Sequence, residues 1–320
     1  MRQEIKDILK RYDELSALIL EQTVDRFSDE LEAGRDDQDS DESFEQRLQQ
    51  AATVATDEAT LELENTPDEK LGGKSLRDVF EEMGFEELCE TLEYSALNLD
   101  RGIPVSLIES MATWGDRQAV MDYCSNLIGN AAWVETELGD DDSVFEIEFQ
   151  TVRAALDVLI KMEEPAFIGA VLERFMSYEQ VRDFVAESIS KYIEAFPEVS
   201  VPMLIDELEK HTEDGMKGPS EDLVIMLAAI GKDYKSDVIY DELRRAFRFM
   251  ENKIYAVICL ADYGDERAVK MFKNYINRNQ ASISRELFYE MMSAIQKLGG
   301  DISDINDPFG DFQKKYDQGE

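Results

Sequence analysis

The sequence predicts an all-α protein whose larger part is an α-α superhelix, a solenoid of stacked helix pairs. Apolar residues recur at the i, i+3, i+4, i+7 spacing of amphipathic helices along the chain, and the strict alternation typical of strands is hard to find. Only 17 glycines and 7 prolines occur in 320 residues, so helices are seldom interrupted. The interruptions that do occur return at a nearly constant interval in the second half of the chain.

The N-terminal region, residues 1–99, is predicted to be helical and to contain an acidic linker. Its first helix is predicted over about 2–33, from five apolar residues spaced three or four apart. These residues are Ile5, Ile8, Tyr12, Leu15 and Ile19. Residues 34–43 offer no apolar side chain to bury, so we expect a mobile acidic linker there. A second helix is predicted over 44–64, and Ser75 is predicted to cap a third.

Residues 104–300 are predicted to form a repeat domain of roughly five helix pairs, followed by a polar tail at 301–320. The later breaks between helices fall at Pro197, Gly231, Gly264 and Gly299. They lie 34, 33 and 35 residues apart, a period typical of helical solenoids, in which each pair buries the apolar face of the next. Two earlier breaks, at Gly115 and Pro165, are 50 residues apart and leave room for an acidic insertion at 139–142.

Two of the predicted turns share a sequence pattern, in which Gly-Asp is followed two residues later by Ala-Val. Residues 260–269 read Leu-Ala-Asp-Tyr-Gly-Asp-Glu-Arg-Ala-Val, and residues 111–120 read Met-Ala-Thr-Trp-Gly-Asp-Arg-Gln-Ala-Val. Both resemble the inter-helix turn of HEAT-like repeats of the PBS-lyase type, and residues 229–233 match it in part. The resemblance implies a right-handed HEAT-like superhelix over about 104–300, and no particular function, because such repeats occur in scaffolds, regulators and a few enzymes. The glycines expected in equivalent inter-helix turns are Gly115, Gly231 and Gly264.

The chain is strongly acidic, with 33 Lys and Arg against 71 Asp and Glu and a net charge of −38 at pH 7. Such a surface repels nucleic acid and anionic membranes, so neither is expected as a partner, and it favours a basic partner. Adaptation to high salt is an alternative explanation that the sequence leaves open. Because no apolar run reaches the roughly 18 residues of a membrane span and no signal core is evident, we expect a cytoplasmic protein.

One span departs from the acidic background. Residues 241–298 contain ten Lys and Arg and eight Asp and Glu, a net charge of +2. Basic residues one turn apart on the predicted helices are expected to form a stripe on the concave surface, unless they only balance neighbouring carboxylates. The candidate partner-binding residues of this stripe are Arg244, Arg245, Arg248, Arg267, Lys270 and Lys273. Trp114, on a predicted turn, is a further candidate anchor, with packing under the preceding repeat as the alternative.

Motifs for catalysis, metals and cofactors are incomplete. Residues 73–75 (Gly-Lys-Ser) resemble the end of a P-loop, but its first glycine is replaced by Asp68. Residues 37–41 have the first aspartate spacings of a calcium loop without its glycine and final glutamate. His211 is the only histidine, so neither a zinc site nor a catalytic triad is expected. We therefore expect no cofactor, no metal and no catalytic residue, and we expect the three cysteines to be buried free thiols in a reducing compartment.

The sequence thus predicts a non-enzymatic protein–protein interaction scaffold or regulatory adaptor that binds a protein partner of unknown identity through the concave repeat surface. Two alternatives stay open: an anion or nucleic-acid binder that uses the basic stripe at 244–278, and a carboxylate-dependent enzyme. Binding to nucleic acid that weakens steeply with salt would indicate the first. A deep pocket with two close carboxylates of raised pKa would indicate the second.

Overall fold

The protein is predominantly helical in the residues that its structure describes. A computed structural model describes residues 2–33, 41–100, 102–134 and 142–310, and these residues form 15 α-helices and no β-strand. The prediction of an all-α chain is therefore confirmed. The chain divides into two compact units, Met1–Glu164 and Pro165–Glu320, each with its own buried apolar core.

The first unit is built around its last helix. Its helices are α1 (Gln3–Ala33), α2 (Asp41–Asn65), α3 (Leu76–Glu81), α4 (Phe85–Asn98), α5 (Val105–Ala112), α6 (Arg117–Asn130) and α7 (Asp142–Lys161). α1 packs along α2, whereas α7 packs against α4, α5 and α6. Phe149 and Leu156 of α7 are at most 1% exposed, as expected for a central helix. The helices predicted over 2–33 and 44–64 both form, the second beginning at Asp41.

The predicted acidic linker lies mostly outside the described residues. Positions 34–40 are not described, and 41–43 belong to α2 and not to a linker. Of the insertion predicted at 139–142, only Asp142 is described, as the first residue of α7. α5, the first helix of the predicted repeat domain, packs against α2, α3 and α4, so it shares a core with helices of the predicted N-terminal region.

The prediction that Ser75 caps a helix is confirmed. The Ser75 hydroxyl accepts a hydrogen bond from the Asp78 N–H (3.1 Å), and the Asp78 carboxylate accepts one from the Ser75 N–H (2.8 Å). This reciprocal capping box begins α3 and holds the pKa of Asp78 below its usual range. Residues 73–75, considered above as the end of a P-loop, are therefore part of a capped turn.

A buried carboxylate joins α2 to α5. Glu64 is fully buried and accepts hydrogen bonds from the Tyr12 hydroxyl (2.9 Å) and from the backbone N–H groups of Val105 (2.9 Å) and Ser106 (2.7 Å). These two residues begin α5, whose own N-cap residue, Pro104, makes no side-chain hydrogen bond. Glu64 therefore caps α5 from another helix. Burial, together with the nearby Glu64, raises the pKa of Tyr12.

In the second unit, alternate helices pack in a continuous row. Its helices are α8 (Ile168–Met176), α9 (Asp183–Glu194), α10 (Pro197–Lys210), α11 (Pro219–Asp233), α12 (Asp237–Phe249), α13 (Lys253–Tyr263), α14 (Arg267–Asn279) and α15 (Arg285–Lys297). α9, α11, α13 and α15 pack on one another in that order. α10 packs on α9 and α11, α12 packs on α11 and α13, and α14 packs on α15.

The expectation that Gly115, Gly231 and Gly264 occupy equivalent inter-helix turns is wrong. Gly264 follows α13 in the left-handed conformation (φ 77°), whereas Gly115 lies between α5 and α6 without a positive φ. Gly231 lies inside α11, which continues to Asp233. A Cβ atom at Gly231 would come within 2.5 Å of the Tyr263 ring, so this glycine allows α13 to pack closely on α11.

The described part of the predicted polar tail, residues 301–310, packs back against α14 and α15. The Phe309 ring lies 5.7 Å from the Phe288 ring. Lys273 of α14 donates a hydrogen bond to the Asp304 carboxylate (2.7 Å). This contact directs Lys273 toward the tail.

Candidate protein-binding groove

A groove lies between α12 and α14 of the second unit. The two helices meet through aromatic side chains, because the Phe247 ring lies 5.6 Å from the Phe272 ring and 5.3 Å from the Tyr275 ring, both edge-to-face. The groove has a volume of about 1010 Å³, and its lining includes Phe247, Met271 and Tyr275. Its apolar side chains give a bound segment a surface on which to bury apolar groups.

The buried stripe of α14 determines which residues face outward. Ala268, Phe272 and Ile276 recur every four residues and are fully buried, so they fix the rotation of the helix about its axis. No acidic residue occurs in the sequence of α14, Arg267–Asn279. The outward faces of this helix are therefore basic or neutral.

The groove is basic although the chain around it is acidic. Its basic residues are Arg244, Arg245, Arg248, Lys253, Arg267, Lys270 and Arg278. Among the described residues that line it, Asp241 supplies the only carboxylate. By sequence, Pro165–Glu320 carries 19 Lys and Arg against 29 Asp and Glu. The groove thus concentrates positive charge within a unit of net negative charge, which favours an anionic ligand.

Arg245 is held in place by a partly buried network. Its guanidinium donates two hydrogen bonds to the Glu242 carboxylate (2.8 and 2.6 Å) and a third to the Thr212 hydroxyl (2.8 Å). Glu242 is 5% exposed, and burial raises the pKa of its carboxyl despite the favourable charge of Arg245. Arg245 therefore neutralises a buried carboxylate and is already engaged.

Arg267 is also engaged. It forms ion pairs with Asp265 (2.7 Å) and Asp237 (2.9 Å), and its guanidinium lies 3.9 Å from the centre of the Tyr240 ring. The Asp265 carboxylate raises the pKa of Arg267, and hydrogen bonding by Arg267 lowers the pKa of Asp265. Arg267 thus holds the first turn of α14 against the start of α12.

Lys253 caps the C-terminus of α12. Its ammonium group donates to the carbonyl oxygens of Phe247 (3.1 Å), Arg248 (3.2 Å) and Met250 (3.3 Å). These carbonyls lie at the C-terminus of the helix, where they have no partner within the helix and where a cation is favourable. Burial lowers the pKa of Lys253. We conclude that Lys253 positions the wall of the groove.

Within the described part of the chain, three cations of the groove are available to a ligand. Arg248, Lys270 and Arg278 are exposed, and none of them forms an ion pair with any residue that the structure describes. Arg248 lies 5.2 Å from the centre of the Phe249 ring, which is itself 42% exposed. Arg244 is paired with Asp241 (3.1 Å). The groove therefore combines engaged cations that shape it with free cations that can bind.

The structure brings together five of the seven residues predicted as a partner-binding site. These five are Arg244, Arg245, Arg248, Arg267 and Lys270. Lys273 does not line the groove, because it pairs with Asp304. Trp114 lies in the first unit, half-buried, with its ring stacked at 5.7 Å on Phe85 of α4. It therefore packs on a helix that precedes the predicted repeat domain and not under a preceding repeat. The predicted binding residues did not include Lys253 or Arg278, which also line the groove, although the predicted basic stripe at 244–278 extends to Arg278. Arg278 lies eight residues after Lys270, and so about 80° further around α14.

Other candidate sites receive less support. Burial raises the pKa of Asp222 to about 6 and also raises the pKa of Glu221, but neither carboxylate lines the groove. His211 contacts Glu207 at 3.3 Å near the end of α10. Among the described residues, no group of three or more His, Cys, Asp or Glu side chains is placed to hold a metal ion. In the same part of the chain, no helix has both the length and the apolar character needed to cross a membrane.

The three cysteines are unpaired. Cys124 and Cys259 are buried and Cys89 is half-buried, so the expectation of buried thiols is met in full at two of the three positions. Burial raises the pKa of all three thiols to about 12, which disfavours the reactive thiolate.

No protein-family model, no curated protein and no solved structure matches this chain.

Proposed function

We propose that this protein is a non-enzymatic scaffold or adaptor that binds an acidic segment of a protein partner in the groove between α12 and α14. The observation that carries the proposal is the charge of the groove. Among the described residues, seven basic side chains and one carboxylate line it, in a chain of net charge −38. Because Arg248, Lys270 and Arg278 lack ion-pair partners among the described residues, an acidic segment would gain new contacts without breaking existing ones.

The proposal includes a HEAT-like repeat arrangement for the helices. Its support is the order of packing, because α9, α11, α13 and α15 contact one another in turn. They begin at residues 183, 219, 253 and 285, which are 36, 34 and 32 residues apart. The turn sequence gives weaker support, since Gly231 is helical and Gly264 is not. In this arrangement α12 and α14 are the second helices of successive pairs.

An acidic protein segment fits the charge distribution better than nucleic acid does. A nucleic-acid strand carries charge along its whole length and would continue past the groove over a surface of net negative charge. A short acidic segment needs only a few carboxylates within the groove. At physiological salt, screening weakens the repulsion between charges that are more than about 8 Å apart. A nucleic-acid strand lying on the surface beside the groove would be closer than that to the carboxylates of this surface. A nucleic-acid ligand is therefore one outcome of the test below.

The groove gives no support to the enzyme alternative, because the described carboxylates of raised pKa on α11 lie outside it. Asp222 and Glu221 are adjacent in α11 and do not line the groove, and the groove itself contains one carboxylate. The cytoplasmic location remains part of the proposal. It is supported by three free cysteines, which persist most readily in a reducing compartment.

The test removes the free cations of the groove. We expect the triple variant R248Q/K270Q/R278Q to bind a fluorescein-labelled hexaglutamate peptide about tenfold more weakly than the wild type, as measured by fluorescence anisotropy. Each exposed pair contributes roughly 0.2–1 kcal/mol, and about 1.4 kcal/mol corresponds to a factor of ten. Circular dichroism should show unchanged helix content, because these side chains are exposed.

A matched control removes the same charge from the same unit outside the groove. Lys232, Lys273 and Lys297 pair with Asp262 or Asp304 and do not line the groove. The variant K232Q/K273Q/K297Q should change the peptide affinity less than twofold. Equal weakening in both triple variants would contradict the proposal, because only net charge would then matter. Tighter binding of a single-stranded oligonucleotide with six phosphates would favour the nucleic-acid alternative instead.

A further inference from the structure

The rim of α14 carries a regular row of groups that can bind a partner. Lys270, Asn274 and Arg278 are exposed, line the groove and recur every four residues. Four residues of helix rise about 6 Å, so the row spans about 12 Å. Residues on one side of an extended chain are about 6.6–6.8 Å apart, so three of them span about 13 Å. The two spacings agree within the reach of Lys and Arg side chains.

The opposite wall of the groove is basic as well. Arg248 of α12 is exposed and forms no ion pair with a described residue, and Arg244 lies one turn before it. An extended chain directs successive side chains to opposite sides, so one short segment can contact both walls. A helix would direct a single face into the groove and leave the remaining side chains outside it.

We infer that the groove binds an extended acidic segment of about five residues. Carboxylates at its first and fifth positions contact Lys270 and Arg278, and a hydrogen-bonding side chain at the third contacts Asn274. A carboxylate at the fourth position points to the other wall and contacts Arg248. The inference rests on the proposed function and specifies the ligand of the same groove.

The experiment compares three labelled peptides that each contain three glutamates. The matched peptide is Glu-Thr-Gln-Glu-Glu, and the shuffled peptide is Thr-Glu-Glu-Glu-Gln. The third is a nine-residue peptide held helical by α-aminoisobutyric acid, with glutamate at positions one, five and nine. We expect the matched peptide to bind at least threefold more tightly than either of the others, as measured by anisotropy at constant ionic strength.

A second measurement tests the middle position. The variant N274A should weaken binding of the matched peptide about threefold. It should leave unchanged the affinity of a peptide with alanine at the third position. That peptide cannot form a hydrogen bond at this position with either the wild type or N274A. Equal losses for the two peptides would show that Asn274 acts without contacting this position and would overturn the assigned register.

The remaining outcomes separate the two proposals. Equal affinities of the matched and shuffled peptides would overturn the inference but not the proposed function, because the groove would then recognise charge alone. Equal or tighter binding of the helical peptide would overturn the extended conformation in the same way. If R248Q/K270Q/R278Q left the binding of every peptide unchanged, the proposed function itself would fail.

Discussion

At the scale of single residues, burial decides which carboxylates oppose folding at neutral pH. Asp222 lies in the first turn of α11 and is partly buried. This burial, with smaller effects of the nearby Glu221 and Asp183 carboxylates, raises the pKa of Asp222 from 3.8 to about 6. The folded state therefore binds the Asp222 proton more tightly than the unfolded state does. The contribution of protonated Asp222 to the free energy of unfolding is fully present below about pH 4 and is lost as the pH rises through about 6.

We predict that D222N is more stable than the wild type at pH 8 and that the difference disappears toward pH 4. Asparagine keeps the shape of the side chain but cannot acquire the unfavourable charge. The melting temperatures of both proteins, measured by circular dichroism in steps of pH, would check this. A stability difference that stays constant from pH 8 to pH 4 would rule out ionisation of Asp222 as its cause.

Single residues also show where sequence reasoning reached its limit. The period near Gly231 predicts a break, and a break does follow, but at Tyr234 after the end of α11. Gly231 itself serves a contact with the Tyr263 ring, 32 residues later in the chain. A glycine that ends a helix and a glycine that admits a neighbouring ring look alike in one sequence. The distinction depends on tertiary packing, which local pattern does not contain.

At the scale of elements, one buried carboxylate connects two helices that are distant in sequence. Glu64 of α2 accepts hydrogen bonds from the first two backbone N–H groups of α5 and from Tyr12 of α1. A buried carboxylate is costly unless its oxygens are satisfied, and here three donors satisfy them. The three helices are thus fixed relative to one another by one side chain.

We predict that E64A destabilises the protein by about 2–4 kcal/mol, because it leaves three donors without their acceptor, two of them buried and one part-buried. E64Q should cost less, since its amide oxygen can still accept. Urea unfolding monitored by tryptophan fluorescence would measure both, because Trp114 and Trp133 lie in the same unit as Glu64. The neighbouring E62A, at an exposed position of α2, should change stability by less than about 0.5 kcal/mol. A loss in E64A no larger than that in E62A would contradict the capping role.

The candidate groove was partly predictable at this scale. Helical spacing placed Arg244, Arg248 and Lys270 on outward faces, and all three line the groove. Lys273 follows the same spacing, but its direction depends on Asp304 in a segment with no helical pattern. The apolar lining could not be foreseen, because it requires knowing that Phe247 of α12 meets Tyr275 of α14. Periodicity gives the face of a helix but not its neighbour.

At the scale of the whole molecule, charge is distributed unevenly between the two units. Met1–Glu164 carries 14 Lys and Arg against 42 Asp and Glu, a net charge of −28, whereas Pro165–Glu320 carries −10. Like charges at this density repel one another in the folded state, and salt screens that repulsion. Salt has the opposite effect on binding, because it also screens the attraction between the groove and an acidic ligand and so lowers the affinity.

We therefore predict that stability and binding respond to salt in opposite directions. Raising NaCl from about 0.05 M to about 1 M shortens the Debye length from more than 10 Å to about 3 Å. The melting temperature should rise, and the affinity for hexaglutamate should fall. Tryptophan fluorescence reports on the more acidic unit alone, so its midpoint should rise more than the midpoint from circular dichroism, which reports on both. KCl at equal ionic strength should act in the same way if screening is the cause. A melting temperature that falls with salt would mean that local ion pairs outweigh the net repulsion, and an affinity that does not fall would exclude the free cations of the groove as the binding groups.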